Sequence, residues 1–417
     1  MRILIYSYNY YPEPIGIAPL MTELAEGLVR DGHSVRVVTA MPWYPESEIH
    51  PKYKGKFYLT ERRNGVKIQR CYIWTRQERS LRNRIFFELS FLFFSLFQAF
   101  CGSRPDVILL TVPGLPVCVS AALVSWVYHT PIVLNLQDIL PDAAVHVGLI
   151  NNKKFIQVLK FLEKFAYSNA KKISVIADGF TKNLMGKGVR EEKIVEIPNW
   201  VDVDFIKPLP QQDNYFRREH QLEGKFVVLY SGNIALTQGL ETVIDAGTYL
   251  HDFPDIVIVI VGEEKRLRQL ERYRQKRDAH NVRLFPFQPR EKLPEMLAAA
   301  NLGLVVQKKN VLDFNMPSKI QVLLASGRAI IASVPSTGTA ARAIAQSGGG
   351  LVVEPENPEV LAQAIEKLYL NPQQVEILGH KGRKFAEENY SFASALTRYE
   401  QLFTEVVKKK KYTATRK

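Results

Sequence analysis

The sequence predicts an α/β protein of two doubly wound units. Three observations predict it: short apolar runs alternate with helix-like stretches through both halves, the rhythm breaks near residues 198–210, and the composition supplies a large core. Of 417 residues, 46% are hydrophobic and 23% charged, the balance of a folded globular chain long enough for two domains.

From the N terminus, Arg2 to Tyr6 reads as a strand and Ala18 to Arg30 as a helix with Met21, Leu24 and Leu28 on one face. Gly32 is its stop, and Ser34 to Thr39 is the next strand. β-Rich runs follow at Asp106 to Thr111, Pro131 to Leu136 and Lys172 to Ile176. The pattern is interrupted from Pro198 to Pro210, around the run PLPQQDN, and then restarts. Phe226 to Ser231, Ile256 to Val261, Val282 to Phe285, Leu302 to Val306 and Ala329 to Ser333 have the continuous apolar character of buried parallel strands. Open sheets of this kind bind ligands beyond the carboxyl ends of their strands, and two such units are expected to face a cleft.

Net charge is +13, from 55 basic and 42 acidic side chains, which favours an anionic partner: nucleic acid, acidic lipid or a phosphorylated substrate. No basic-aromatic motif of a known reader is present, so no nucleic acid is expected. Three cysteines, Cys71, Cys101 and Cys118, are too scattered for a disulfide framework or a zinc site. The opening MRILIYSYNYYPEP reads as a buried strand rather than a signal peptide, giving a cytoplasmic default.

Two segments carry the chemistry. In FNMPSKIQVLLASG, Phe314 to Gly327, Pro317 suits the opening turn of a helix whose free N–H groups favour an anion. Ser318 adds a hydroxyl and Lys319 a full positive charge there, while Ile320, Leu323, Leu324 and Gly327 can face the protein body. The second segment, Ser231 to Leu240, comes after a strand and leads into a helix near Gly239. Its N–H groups, with the Asn233 and Gln238 amides, could cradle phosphate. It matches neither G-x-G-x-x-G nor the P-loop, which disfavours dehydrogenase and ATPase readings.

Taken with the ordered segments YYPEPIGIAPLMTELAEGLVRDGHSVRVVTAMPWYP, LNLQDILPD, IPNWVDVDFIKP, SGNIALTQGLETVIDA, VRLFPFQPREKLPEMLAAANLGLVV and MPSKIQVLLASGRAII, the chain resembles family-4 glycosyltransferases of the GT-B fold over nearly its whole length. The likeness is to the bacterial branch that includes colanic-acid and O-antigen fucosamine transferases. It implies two Rossmann-like domains: an acceptor-binding domain at 1–200 and a nucleotide-sugar-binding domain at 201–378. A C-terminal helix at 379–407 would cross back to the first, followed by a basic tail at 408–417. Implied donor-binding residues are Gly232, Asn233, Gln238, Ser318 and Lys319, with Arg266 as a further cation, the Phe285-Pro286-Phe287 turn at the base, and Gly16 letting backbone approach the phosphates or acceptor. Lys319 would also act in catalysis, and Asp138 is the candidate for contacting or deprotonating the acceptor; an equal reading has it capping the turn at Pro141. His146 is a lesser candidate.

The chain also departs from the family. Arg and Lys of many relatives are replaced by Asn233 and Gln238. The family's two glutamates are matched here by Asn315 and Val322, so the ribose contact loses its usual carboxylate, with Asp313, Asn315 or backbone as substitutes. No metal or other cofactor is expected: Asp202-Val203-Asp204 resembles a D-x-D motif but reads as a turn and helix start.

The helix-like run Ile85 to Phe100 spans about 24 Å, short of the roughly 30 Å hydrocarbon layer. Glu88, Ser95 and Gln98 cluster on its wheel, leaving a broad phenylalanine and leucine face, with Arg76, Arg79, Arg82 and Arg84 just before it. An interfacial helix on anionic lipid and a core helix on the sheet both fit. Lys408 to Lys411, Arg416 and Lys417 add weak attraction. The expected function is retaining transfer from a nucleotide sugar, UDP-sugar first, to a lipid-linked or glycan acceptor at the inner face of the cell membrane. A non-catalytic nucleotide-sugar-binding partner and a GT-B epimerase are the alternatives.

Overall fold

Two separate sheets organise the chain in the computed structural model, which describes residues 1–414 except positions 15, 45, 79, 113, 147, 149 and 236. Arg79, Arg416 and Lys417 therefore lie outside the described residues. The chain divides into a first unit, Met1–Pro198 with Leu396–Lys417, and a second unit, Asn199–Ala395.

In the first unit the strands are β1 (Arg2–Tyr6), β2 (Ser34–Ala40), β3 (Tyr58–Arg63), β4 (Val66–Cys71), β5 (Val107–Val112), β6 (Ile132–Leu136), β7 (Lys172–Val175) and β8 (Ile194–Glu196). They lie in the order β3-β4-β2-β1-β5-β6-β7-β8, parallel except for the β3-β4 hairpin. That hairpin is absent from the reading of the sequence, although its signal is there. Asn64 and Gly65 take φ of 45° and 82°, the left-handed pair that closes a two-residue turn. Strand order reverses between β1 and β5, so loops after these strands diverge and leave a crevice at their carboxyl ends.

The second unit holds β9 (Phe226–Ser231), β10 (Ile256–Gly262), β11 (Val282–Pro286), β12 (Leu302–Val306), β13 (Ala329–Ser333) and β14 (Gly350–Val353). All pairings are parallel, in the order β11-β10-β9-β12-β13-β14. The reversal, and hence the ligand crevice, falls between β9 and β12. Residues of β9, β10, β12 and β13 are buried on both faces, because helices cover both sides and bury the continuous apolar runs.

Two expected boundaries move. Residues 199–210 are no open linker, since Val201 and Ile206 are buried in the second unit's core and the Arg383 guanidinium donates to the carbonyls of Val203 at 3.1 Å and Ile206 at 2.8 Å. The return to the first unit begins at Leu396 rather than 379. Helix Pro372–Asn389 stays in the second unit because Gly379 and Gly382 let it press against Gly327 and Gly349; a Cβ on Gly379 would lie 2.4 Å from the Gly327 carbonyl oxygen. Helix Phe392–Ala414 then joins the first unit, where the Tyr399 hydroxyl accepts from Asn135 Nδ2 at 2.7 Å and Glu400 meets His33 at 2.9 Å. Much of the expected basic tail continues this helix to Ala414.

Helix Leu81–Phe100 is the run in which an interfacial and a core helix both fitted the sequence. Its polar stripe of Glu88, Ser95 and Gln98 is buried, and much of its phenylalanine and leucine face is exposed.

Candidate active site

The crevice of the second unit is built by the loops that leave the strand ends. Chain leaving β9 must turn sharply, and Gly232 does so at φ 140°, a conformation side chains rarely adopt. Gly232 N–H donates to the Val261 carbonyl at 3.1 Å, tying the turn to the end of β10. From β12, a loop runs to the short helix Lys319–Ala325; Gln307 Nε2 donates to Asn315 Oδ1 at 3.0 Å, and Thr339 N–H donates to the Asp313 carbonyl at 2.8 Å. That loop delivers Lys319 to the glycine turn: a Cβ on Gly232 would sit 3.2 Å from Lys319 Nζ.

Lys319 is the centre of the arrangement. Its Nζ is buried, has no hydrogen-bond partner among the described residues and stands 3.5 Å from the centroid of the Tyr230 ring. Burial lowers its pKa from 10.5 to about 7, so the expected full positive charge is corrected to an amine titrating near neutrality. A ring face offers a cation some attraction but no hydrogen bond, so the amine retains its full donor capacity. The helix behind it spans seven residues, shorter than the expected anion-binding helix, which shifts the electrostatic task from dipole to lysine. Ser318 is its N-cap residue, exposed, and its hydroxyl makes no capping bond.

Tyr230 is a site residue that reading the sequence missed. Its hydroxyl donates to the Asn233 carbonyl at 2.7 Å and lies 3.3 Å from Gln238 Oε1, so one buried phenol organises the whole loop. Gln238 keeps its NH2 without a protein partner among the described residues. Lys308 was missed too: its N–H donates to the Thr237 carbonyl at 2.9 Å, and its Cγ would lie 3.2 Å from a Cβ on Gly239. A lysine two residues past a strand at the reversal point was the available signal, but only strand order identifies that point.

Gly232, Asn233, Gln238 and Lys319 are thus brought together, with Ser318 adjacent in chain. Phe287 and Arg266 lie past neighbouring strand ends. Phe287 N–H donates to the Gly262 carbonyl at 3.1 Å and its ring is 49% exposed, whereas Phe285 is stacked on His220 at 4.1 Å. Arg266 is exposed in the first turn of helix Glu264–Lys276. Val322 packs partly buried against the core and supplies no polar group; Asp313 and Asn315 are exposed.

In the first unit, Gly16 takes φ 67° in the loop after β1, with nothing within 4 Å of a Cβ placed there. The Glu13 carboxylate fixes that loop, accepting from the N–H groups of Trp43 at 3.1 Å and Tyr44 at 3.0 Å. Asp138 lies just past β6 and makes no hydrogen bond or ion pair with another described residue, so it does not cap the Pro141 turn. Its carboxyl reaches the surface, but the protein crowded around it removes water and raises its pKa. His146, exposed, ends the short helix Asp142–His146. Asp202 Oδ1 accepts from the N–H groups of Asp204 at 3.1 Å and Phe205 at 2.9 Å, an Asx turn. Among the described residues, no group of three or more His, Cys, Asp or Glu side chains is arranged to hold a metal ion.

Comparison with known proteins agrees with this architecture. The family described as "Glycosyl transferases group 1" matches residues 211–385, and "Glycosyl transferase 4-like domain" matches residues 16–200. The chain is 31% identical over 407 residues, 96% of its length and 98% of the relative's, to the colanic acid biosynthesis glycosyl transferase WcaI of Escherichia coli (strain K12). It is 23% identical to the glycosyltransferase WbjE of Pseudomonas aeruginosa over 72% of each chain. Among solved structures, Anabaena HepE in complex with UDP superposes with a TM-score of 0.72 at 16% identity, covering 97% of this chain and 100% of that one. WaaG, a glycosyltransferase involved in lipopolysaccharide biosynthesis, gives 0.65 at 15%, covering 96% and 99%. With two reversing parallel sheets and matches to both families along its length, the chain belongs to the glycosyltransferases of the GT-B fold.

Proposed function

We propose that the chain is a retaining, metal-independent glycosyltransferase that moves a sugar from a nucleotide-sugar donor, UDP-sugar first, to a lipid-linked or polysaccharide acceptor in cell-surface polysaccharide biosynthesis. The observation that carries the donor half is the buried, unpartnered Lys319 amine beside Gly232, at the reversal point of the second sheet. A site built to leave an amine without a partner is poor for stability and suited to an anion that supplies one. Likeness to a colanic acid enzyme and to a UDP-binding structure supports the polysaccharide and UDP parts.

In this reading the bond from the anomeric carbon to the leaving phosphate oxygen breaks as the acceptor oxygen bonds to that carbon. Negative charge grows on the phosphate, where Lys319, Ser318, the Gly232 loop N–H groups and Arg266 would stabilise it. With retention, the departing phosphate oxygen takes the acceptor proton on the same face. Asp138, its pKa raised by the protein crowded around it, would orient the acceptor hydroxyl for that transfer. Phe287 offers an exposed ring to the base.

The test is a thermal-shift panel of UDP, GDP, dTDP and their common sugars on wild type and Lys319→Ala. Selective stabilisation lost in the variant supports the donor site; no shift by any nucleotide removes it. Proton NMR of the product then reads the anomeric configuration, and an inverted product refutes retention. One observation favours a second reading, a non-catalytic nucleotide-sugar-binding partner: Val322 puts an apolar side chain against the core where relatives carry a ribose-binding glutamate. Binding without turnover across a panel of acceptors would establish it.

A further inference from the structure

Helix Leu81–Phe100, in the first unit, is turned the opposite way to a surface helix of a water-soluble domain. Its polar side faces inward: Glu88 accepts from the Tyr8 hydroxyl and pairs with Arg84 at 2.5 Å, Gln98 Nε2 donates to the Arg70 carbonyl at 3.2 Å, and the Tyr6 hydroxyl donates to the Ser95 carbonyl at 3.0 Å. Its other side presents Ile85, Phe86, Leu89, Phe93 and Phe97, between 37% and 54% exposed. Beside it, a groove of about 510 Å³ is lined by Leu89, Leu92, Leu115, Val119, Leu159 and Leu162. Helix Lys153–Asn169 forms the far wall and adds Val158 and Phe161, 54% and 68% exposed. A contiguous apolar surface of this kind on a soluble chain marks an interaction site.

Charge selects the occupant. The acidic residues of these two helices, Glu88 and Glu163, are both buried, the latter held by Lys187 at 2.5 Å and the Tyr167 hydroxyl at 2.8 Å. Their basic residues, Arg82, Arg84, Lys153, Lys154, Lys160 and Lys164, are all exposed, and Arg76 lies over the neighbouring Trp74 ring at 4.9 Å. Protein interfaces exclude lysine from their apolar centres, whereas aromatic side chains fringed by exposed Lys and Arg suit the headgroup boundary of an anionic bilayer. No helix among the described residues is long and apolar enough to cross a membrane, so the contact is a surface one.

We infer that this face is a membrane-docking surface: the exposed side chains of helix Leu81–Phe100 enter the boundary between headgroups and acyl chains of an anionic bilayer, the basic fringe engages lipid phosphates, and the groove receives one lipid hydrocarbon chain. Leu140, which also lines the groove, lies two residues past Asp138, so a chain held there leads to the loop assigned to the acceptor. The inference deepens the acceptor half of the proposed function and rests on it only for the purpose of docking.

The experiment is flotation of the full chain with vesicles of phosphatidylcholine alone and of phosphatidylcholine mixed with phosphatidylglycerol. Tryptophan quenching by lipids brominated along the acyl chain is read alongside, since Trp74 and Trp126, 36% and 53% exposed, flank the face. Partition onto anionic vesicles should exceed that onto neutral ones by about tenfold or more, with quenching. Leu89→Ser with Phe93→Ser should lower partition about tenfold or more while leaving the melting temperature and the UDP shift unchanged, because both side chains face solvent in the lipid-free protein. Val119→Phe, which fills the groove and spares the helix face, should reduce quenching. Equal or absent partition on both vesicle types overturns the inference. So does self-association by light scattering without lipid that the double substitution abolishes, which would give the face to a second copy. Vesicle binding with no UDP shift would sink the donor site and leave this surface standing.

Discussion

Raising the pH from about 7 to about 9 should weaken UDP binding roughly fiftyfold if the diphosphate meets the Lys319 ammonium. In the nucleotide-free protein this amine titrates at about 7, because Nζ is buried with no hydrogen-bond partner. A bound diphosphate favours the charged form and pulls the pKa back toward 10.5. Between those values each binding event takes up a proton, and Kd rises close to tenfold per pH unit once the amine is mostly neutral. Starting at about pH 7 keeps the nucleotide's own terminal phosphate, with a pKa of about 6, out of the titration. Calorimetry in buffers of different ionisation enthalpy measures both Kd and the proton count. Lys319→Met should bind weakly at every pH and take up no proton. The same shift governs stability. The folded pKa lies below the unfolded value, so the charged amine costs the nucleotide-free protein fully at and below about pH 7, by roughly 5 kcal/mol as an upper bound, and the cost fades as pH rises toward 10.5. Lys319→Met should therefore stabilise the nucleotide-free protein most at or below neutrality, and the gain should vanish near pH 10 in urea unfolding. A wild-type Kd that is flat across this range, matched by Lys319→Met, would refute the reasoning.

Gly232→Ala forces a side chain into φ 140° and 3.2 Å from Lys319 Nζ, so it should cost about 1–3 kcal/mol in chemical denaturation and weaken UDP binding together. Phe287→Ala removes an exposed ring, so it should leave the melting temperature unchanged and weaken nucleotide binding by about 1–3 kcal/mol, read by calorimetry with UDP against pyrophosphate, which has no base to lose. Gly379→Ala places a methyl 2.4 Å from a backbone carbonyl and should destabilise by about 1–3 kcal/mol, detected as a fall in melting temperature with no change in UDP affinity corrected for folded fraction. Glu88→Ala leaves the buried Tyr8 hydroxyl without its acceptor and should cost about 1–3 kcal/mol, measured by urea denaturation.

Reading the sequence alone recovered strands such as β1, β9, β12 and β13 at their observed limits, because each is an uninterrupted apolar run between breakers, and burial on both faces demands that pattern. The edge hairpin of β3 and β4 escaped: its mixed polar sequence, YLTERR and VKIQRC, lacks that run, and only Asn64-Gly65 announced the turn. Lys319 and Gly232 were legible as candidate phosphate contacts, since a glycine after a strand and a lysine at a helix start have local physical meanings, and the fold sets them side by side. Tyr230 and Lys308 were not, for their roles depend on which strands are neighbours. The wheel of helix Leu81–Phe100 separated polar from apolar correctly, but periodicity cannot say which side is inside; the buried partners Tyr6, Tyr8 and Arg70 decided it.

The sequence by itself thus determined the alternation of strand and helix, the two-unit division and the residues proposed to meet a diphosphate, because periodicity and turn chemistry are local. Only the tertiary structure decided that strand order reverses between β9 and β12, that Lys319 is buried against Tyr230 and titrates near neutrality, and that an aromatic helix face is turned to solvent. Each of these depends on what residues far apart in the chain exclude from one another: water from an amine, and partners from a phenylalanine ring.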